Sequence, residues 1–206
     1  MSLLTAETIR DLTINHNLIT RPDYNSDEEW QERVDFIEGS QFDLTLDTIF
    51  LPVLKRFTPF IGRYSRETPR LEEVESAYSP VRKEEIWKLA PGYYIGTTGE
   101  TVSLPIYLKG VLGARTSCFM CGVIPEVTFV NPEFSGLLRF GLDVHNYVEI
   151  GKGARVITLN FDIFDLFQKY DEKYLLELTK HGDKVQPYKG IWTGSKVSTE
   201  GVERPH

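Results

Sequence analysis

This sequence predicts a mainly β protein, a sandwich or barrel, with short helical segments near its two ends. Three observations carry that reading. From Ala90-Pro91-Gly92 onward, short apolar segments are separated by Gly99, Gly110, Gly122, Pro132, Gly136, Gly151 and Gly153. Apolar runs broken by turn residues every eight to twelve positions or so are the mark of packed antiparallel strands. Apolar residues also alternate with polar ones at Phe42, Leu44 and Leu46, and again at Leu138, Phe140, Leu142 and Val144. That period of two is a strand with one buried face. Helical spacing is confined to the first forty residues or so and to the stretch after Phe161. Nowhere does the strand–helix rhythm of a parallel sheet occur.

Elements follow in order. Residues 3–19 read as a short helix, with Thr5 placed to cap it and Ile9 and Leu12 on one face, and Pro22 ends the unit. Ser26-Asp27-Glu28-Glu29 is a capping box, because a serine hydroxyl and a glutamate three residues on satisfy each other's backbone amides. Trp30, Val34 and Ile37 continue at helical spacing until Gly39, so 3–38 forms an N-terminal helical segment. The charged stretch 63–88, with Pro69 and Pro80, reads as a long loop or an edge hairpin. Past Phe161, residues Ile163, Leu166, Phe167, Tyr170, Tyr174 and Leu178 fit helical turns. The tail from about 182 is polar and Gly-rich, a flexible terminus or one ordered by a ligand.

The chain has 206 residues, enough for one domain, 1–206, with a core of its own. It carries 23 Lys and Arg against 30 Asp and Glu, a net charge of −7. A nucleic-acid binder normally presents a basic field, so that class is disfavoured. No apolar run approaches the ~18 residues of a membrane span, and Met1-Ser2-Leu3-Leu4-Thr5 lacks the basic start of a signal peptide. Two cysteines make no disulfide framework, so a reduced, cytoplasmic setting is expected.

Among the motifs, Cys118-Phe119-Met120-Cys121 is a single C-x-x-C. The four histidines offer no paired spacing to complete a zinc site, so thiols on a buried strand are the expectation. Gly151-Lys152-Gly153 reads as a turn between strands. Arg115-Thr116-Ser117 groups one guanidinium with two hydroxyls, a set suited to phosphate oxygens and also common in surface turns. On the polar face of the 137–146 strand, Arg139, Gly141, Asp143 and His145 line up, as a solvated face or as the wall of a polar site.

In chain order, Phe42-Asp43-Leu44-Thr45-Leu46, Leu89-Ala90-Pro91-Gly92, Val102-Ser103-Leu104-Pro105, Arg115-Thr116-Ser117, Asn131-Pro132-Glu133-Phe134-Ser135-Gly136 and Gly151-Lys152-Gly153-Ala154-Arg155-Val156-Ile157 are co-linear with a known pattern. That pattern runs D-[LV]-x-L, L-x-P-G, V-x-L-P, R-S-S, I-D-P-G-[FW]-S-G and P-G-M-x-I. It resembles the dCTP deaminase family of the trimeric dUTPase-like superfamily, with insertions here around 20–35 and 53–85. The resemblance implies a distorted antiparallel jelly-roll β-barrel and a homotrimer with sites between subunits. It also implies a pyrimidine deoxynucleoside triphosphate, dCTP or dUTP, with Mg²⁺ carried on the phosphates and no zinc.

Carried over residue by residue, the phosphate turn keeps Arg115 and Ser117, and Thr116 replaces a serine. A second arginine of the family is Met120 here. The aspartate of the I-D-P turn, which activates water in the dUTPase relatives, is Asn131, whose amide is no base. The family's catalytic glutamate falls on Gly141 or on Asp143, depending on which turn anchors the alignment. The two differ by one rung of the same strand face, about 6.6 Å at 3.3 Å per residue. Asp143, a methylene shorter than glutamate, is the candidate catalytic carboxylate on condition that the backbone shifts to bring it in, with Arg139 and His145 beside it. Tyr188, Lys189 and Lys196 resemble the closing segment that covers the triphosphate. These substitutions imply weak or lost deamination, with a non-catalytic trimeric nucleotide sensor or scaffold as the alternative.

Overall fold

A computed structural model describes residues 4–22, 26–37, 39–55, 57–63, 65–126 and 128–163, and the backbone of 188–189. Helix α1 (Ala6–His16) starts at Thr5, whose hydroxyl accepts from the Thr8 amide, and stops at Asn17 in the left-handed region (φ 53°). The expected helix therefore ends before Leu18, and Ile19–Thr20 form a short strand, β1. Helix α2 (Asp27–Asp35) opens with the capping box: the Ser26 amide donates to Glu29 Oε2 at 2.9 Å and the Glu29 amide to Ser26 Oγ at 3.2 Å.

The strands that follow are β2 (Gln41–Val53), β3 (Phe60–Ile61), β4 (Arg66–Glu67), β5 (Arg70–Glu73), β6 (Ala77–Ser79), β7 (Glu84–Leu89), β8 (Gly92–Ser103) and β9 (Leu108–Ala114). After a short helix α3 (Thr116–Met120) come β10 (Val123–Pro125), β11 (Phe129–Val130), β12 (Phe134–Val144), β13 (Val148–Gly151), β14 (Arg155–Ile163) and β15 (Tyr188–Lys189). The main sheet runs β10-β12-β8-β2-β14-β9-β11, and it curls into a distorted antiparallel jelly-roll barrel. Strand β15 pairs in parallel with the start of β12. The 63–88 stretch contains an edge hairpin: β6 and β7 pair antiparallel around a turn with Lys83 at φ 61°, and β13 completes that small sheet. Gly151-Lys152-Gly153 is the turn from β13 into β14.

Two readings shift. Residues 116–120 form a helical turn rather than a strand, so both cysteines sit around α3, Cys118 buried and Cys121 exposed. Ile163 ends strand β14, while the rest of the expected C-terminal helix, through Leu178, lies outside the described residues, as does the expected tail from about 182 apart from the backbone of 188–189.

Strand β2 explains the curl. Its first half pairs with β14 (Leu44 opposite Ile157), and its second half pairs with β8 (Ile49 opposite Gly96) and β5. Between them the register shifts from Leu46 to Thr48, and the in–out alternation of Phe42, Leu44 and Leu46 breaks so that Thr45 is buried too. At that break sits Glu100 of β8, with no exposed surface. Its carboxylate accepts from the Thr45 amide at 2.9 Å and the Thr45 hydroxyl at 2.8 Å. Arg33 of α2 pairs with the same carboxylate at 2.5 Å and donates to the Asp43 carbonyl at 2.8 Å. The Arg33 guanidinium lies 5.4 Å from the ring centroids of both Trp30 and Phe42. A buried carboxylate stripped of its cation is costly to keep charged. Replacing Arg33→Met should therefore lower unfolding free energy by about 3–5 kcal/mol in a urea titration. The double variant Arg33→Met/Glu100→Gln should recover part of it. A loss below about 1 kcal/mol, the scale of an exposed pair, would show that the link is not structural.

Candidate functional site

Of the polar residues named from the sequence, Arg115, Thr116 and Ser117 line one cavity and Asn131 and Arg139 another, and the two share no lining residue. The first, of about 400 Å³, lies between α2, the start of β2, the end of β9 and β14. Arg115, Thr116 and Ser117 line it, facing Gln41 and Asp43 of β2 and Arg155 and Thr158 of β14. Arg115 is the cap residue of α3, in extended backbone (φ −77°, ψ 139°), which turns the chain from β9 into the cavity. Its Nη1 pairs with Asp43 Oδ2, and Arg155 Nη1 approaches the same oxygen at 3.9 Å. Desolvation and then the like charge of Arg155 lower the Arg115 pKa from its ordinary value. It remains a cation at working pH. Two guanidiniums thus share one carboxylate, and an excess of positive charge faces the cavity. Asp43 Oδ1 is buried without a hydrogen-bond partner among the described residues. Sequence reading found Arg115, Thr116 and Ser117; it missed Asp43 and Arg155 as parts of this cluster. Their signal was the D-[LV]-x-L and G-K-G-A-R segments, used only to align the chain.

Behind the turn, Cys118 Sγ donates to the Val156 carbonyl at 3.4 Å. Burial pushes its thiol pKa up, against the pull of Arg115. That is a packed thiol rather than a reactive one. Among the described residues no group of three or more His, Cys, Asp or Glu side chains is placed to hold a metal ion.

The second cavity, about 1070 Å³ and largely apolar, lies over β12, β8 and the ends of β2, β5 and β11. Asn131, in the turn between β11 and β12, lines it, as do Ile95, Arg139 and Gly141. Arg139 stacks on Phe50 at 5.7 Å, and its Nη1 is buried without a partner among the described residues. An apolar hollow with an amide and an unmatched guanidinium accepts a flat ring bearing a hydrogen-bond acceptor.

The alternation expected over 137–146 holds: Leu138, Phe140, Leu142 and Val144 are buried, and Arg139, Gly141 and Asp143 take the other face. Asp143 is not in the lining of either cavity. Its Oδ2 is 3.2 Å from His145 Nε2, and across the sheet it faces Tyr93 of β8. Tyr93 donates to Glu126 Oε2 at 2.8 Å. Desolvation first, then this hydrogen bond and the charges of Glu126 and Asp143, push the Tyr93 phenol up to about 12. Tyr188 and Lys189 are placed by backbone alone, beside Phe134 and Ser135 at the edge of the second cavity, and Lys196 lies outside the described residues.

A curled antiparallel barrel with an Arg-Thr-Ser turn and a helical N-terminus defines a class of fold before any likeness is measured. The dCTP deaminase-like family matches residues 3–163, and the chain belongs to that family. A curated relative, "dCTP deaminase, dUMP-forming" of Coprothermobacter proteolyticus, is 27% identical over 132 residues, 62% of this chain and 68% of that protein. The crystal structure of a 2'-deoxycytidine 5'-triphosphate deaminase from Agrobacterium tumefaciens matches with a TM-score of 0.56 at 16% identity. That match covers 86% of this chain and 52% of the other, so the chain spans about half the length of the Agrobacterium enzyme. No helix among the described residues is long and apolar enough to cross a membrane.

The Tyr93 shift has a sign. Its phenol rises from 10.0 to about 12, so folding favours the neutral form. The resulting stability is present below pH 10 and drains away as pH climbs toward 12. Tyr93→Phe should therefore lose stability less steeply than the parent over that window. Identical alkaline slopes would place the Tyr93 hydroxyl in free solvent.

Proposed function

We propose that this chain binds a pyrimidine deoxynucleoside triphosphate, dCTP or dUTP, as a homotrimer, and converts dCTP only slowly. The observation that carries the reading is the Arg115-Thr116-Ser117 turn, open to a small cavity with Arg155 at its wall. Two guanidiniums, two hydroxyls and the amides of the turn suit a chain of phosphate oxygens. The curated relative's name adds the substrate class. Mg²⁺ would arrive on the nucleotide, taking its ligands from phosphate oxygens and water rather than from a protein cage.

The second cavity supports a ring-binding role, since apolar walls, Asn131 and Arg139 match the face and edges of a pyrimidine. The phosphate turn and this ring-sized hollow have no lining residue in common. In a symmetric oligomer, one copy's turn can be brought to the next copy's hollow. That is the reason for proposing an oligomer rather than a self-sufficient monomer; the number three is what the family resemblance implies. Slow turnover follows from Met120, whose side chain carries no charge, and from Asn131, which cannot act as a base. A non-catalytic nucleotide sensor is the second reading, favoured by the missing side chain at Gly141 on the face that bears Arg139 and Asp143.

Calorimetric titration of the full chain with dCTP, dUTP and dTTP in Mg²⁺ separates these readings. Saturable binding of dCTP or dUTP is expected, weakened about tenfold or more in Arg115→Ala. Ser117→Ala, which leaves the Arg115–Asp43 pair intact, should weaken it in the same direction. Sedimentation should give a trimeric mass. Absence of binding by any of the three nucleotides would contradict the proposal.

A further inference from the structure

Strand β12 is flanked by β8 on one side and β10 on the other, and two side chains from those neighbours meet over Gly141. Beyond β10, the Glu126 amide donates to the Gly141 carbonyl at 2.8 Å, fixing Glu126 directly beside it. From β8, which faces Gly141 with Ile95 and Asp143 with Tyr93, the Tyr93 hydroxyl reaches across to Glu126 Oε2 at 2.8 Å. A Cβ on residue 141 would stand 2.5 Å from Glu126 Oε2 and 2.5 Å from the Tyr93 hydroxyl. The Glu126 carboxylate therefore occupies the volume that a side chain at 141 would fill. Glycine is what permits it.

The position is well placed for chemistry. Gly141 and Tyr93 line the larger cavity, whose lining contains no carboxylate of its own. Glu126 brings one to its rim. Tyr93, held neutral by its raised pKa, stays a donor to Oε2 through the physiological range. Oε1 takes no hydrogen bond from any described residue. Asp143 is engaged by His145. Glu126 is exposed and, like Asp143, outside the lining itself, but it is the carboxylate bonded to Tyr93 and set against Gly141, both of which line the cavity.

We propose that Glu126 is the proton-carrying carboxylate of this chain, acting on the cytosine amidine of a nucleotide bound over β12. The proposal rests on the nucleotide-binding reading above. Hydrolytic deamination adds a water oxygen to C4 and breaks the bond from C4 to the exocyclic nitrogen. The two protons of the water end on N3 and on the departing nitrogen, which leaves as ammonia, and the ring becomes a uracil. No oxidant or reductant is needed. Glu126 takes each proton from the oxygen and delivers it to nitrogen, a relay that needs one carboxylate within hydrogen-bond reach of both.

The test uses the full chain with Mg²⁺ and dCTP, reading ammonia release and, in parallel, dCTP binding by calorimetry. Slow ammonia release is expected in the parent. Glu126→Gln, which keeps the shape of the side chain and an acceptor for Tyr93, should cut it by about 10²–10⁴-fold while dCTP still binds. Gly141→Ala is the independent arm. The atoms nearest its methyl group are the ends of the Glu126 and Tyr93 side chains rather than backbone, so the fold should survive while the carboxylate is displaced and turnover falls. Parent-like turnover in Glu126→Gln overturns the proposal, as does a parent that binds dCTP and releases no ammonia. Failure to bind dCTP at all overturns the underlying reading instead.

Discussion

The placement of the Arg115 turn depends on one buried carboxylate. Glu100 meets β2 where that strand leaves β14 and joins β8, and it takes both the amide and the hydroxyl of Thr45. A buried amide that loses its acceptor costs about 1–3 kcal/mol, and Glu100 is an acceptor for the Thr45 amide. Arg33 neutralises that carboxylate and carries the constraint outward, because the same guanidinium nitrogen donates to the Asp43 carbonyl. Asp43 in turn holds Arg115. A chain of charge-assisted bonds therefore runs from the centre of the barrel to the turn proposed to meet phosphate. The N-terminal helices belong to the site through this chain, since α2 supplies Arg33.

The polar surface is divided between two places. One end is small, cationic and rich in hydroxyls; the other is broad, apolar and edged by an amide and a guanidinium, with the Glu126 carboxylate bonded to the Tyr93 of its wall. A triphosphate and a pyrimidine differ in the same way, one highly charged and the other flat and weakly polar. A barrel this size holds each preference on a rigid strand or turn but does not place the two in one cavity. The proposed symmetric assembly would join them.

Much of the local structure was legible in the residues. The Thr5 cap, the Ser26–Glu29 box, the inward leucines of β2 and β12 and the turn at 151–153 each rest on interactions within a few positions, which spacing reveals. Arg115, Thr116 and Ser117 were legible as a polar turn suited to phosphate; that the turn opens on a cavity was visible only in the structure. What spacing hid were long-range pairs: Glu100 with Arg33, Asp43 with Arg115, and Tyr93 with Glu126 across β12. Strand alternation placed Asp143 on the face of Arg139 and Gly141, yet it carries no information on which carboxylate meets Gly141. That depends on β10 lying beside β12 and on the empty space at Gly141, and both are facts of tertiary structure. Residues 116–120 read as strand because their neighbours do, whereas Arg115 caps a helical turn there.

A crystal structure of the Glu126→Gln variant grown with dCTP and Mg²⁺ tests the central claim most directly. The triphosphate should lie on Arg115, Thr116 and Ser117 of one copy, and the cytosine on β12 of a neighbouring copy, with C4 next to residue 126. A nucleotide held wholly within one chain, or bound away from Arg115, would contradict it.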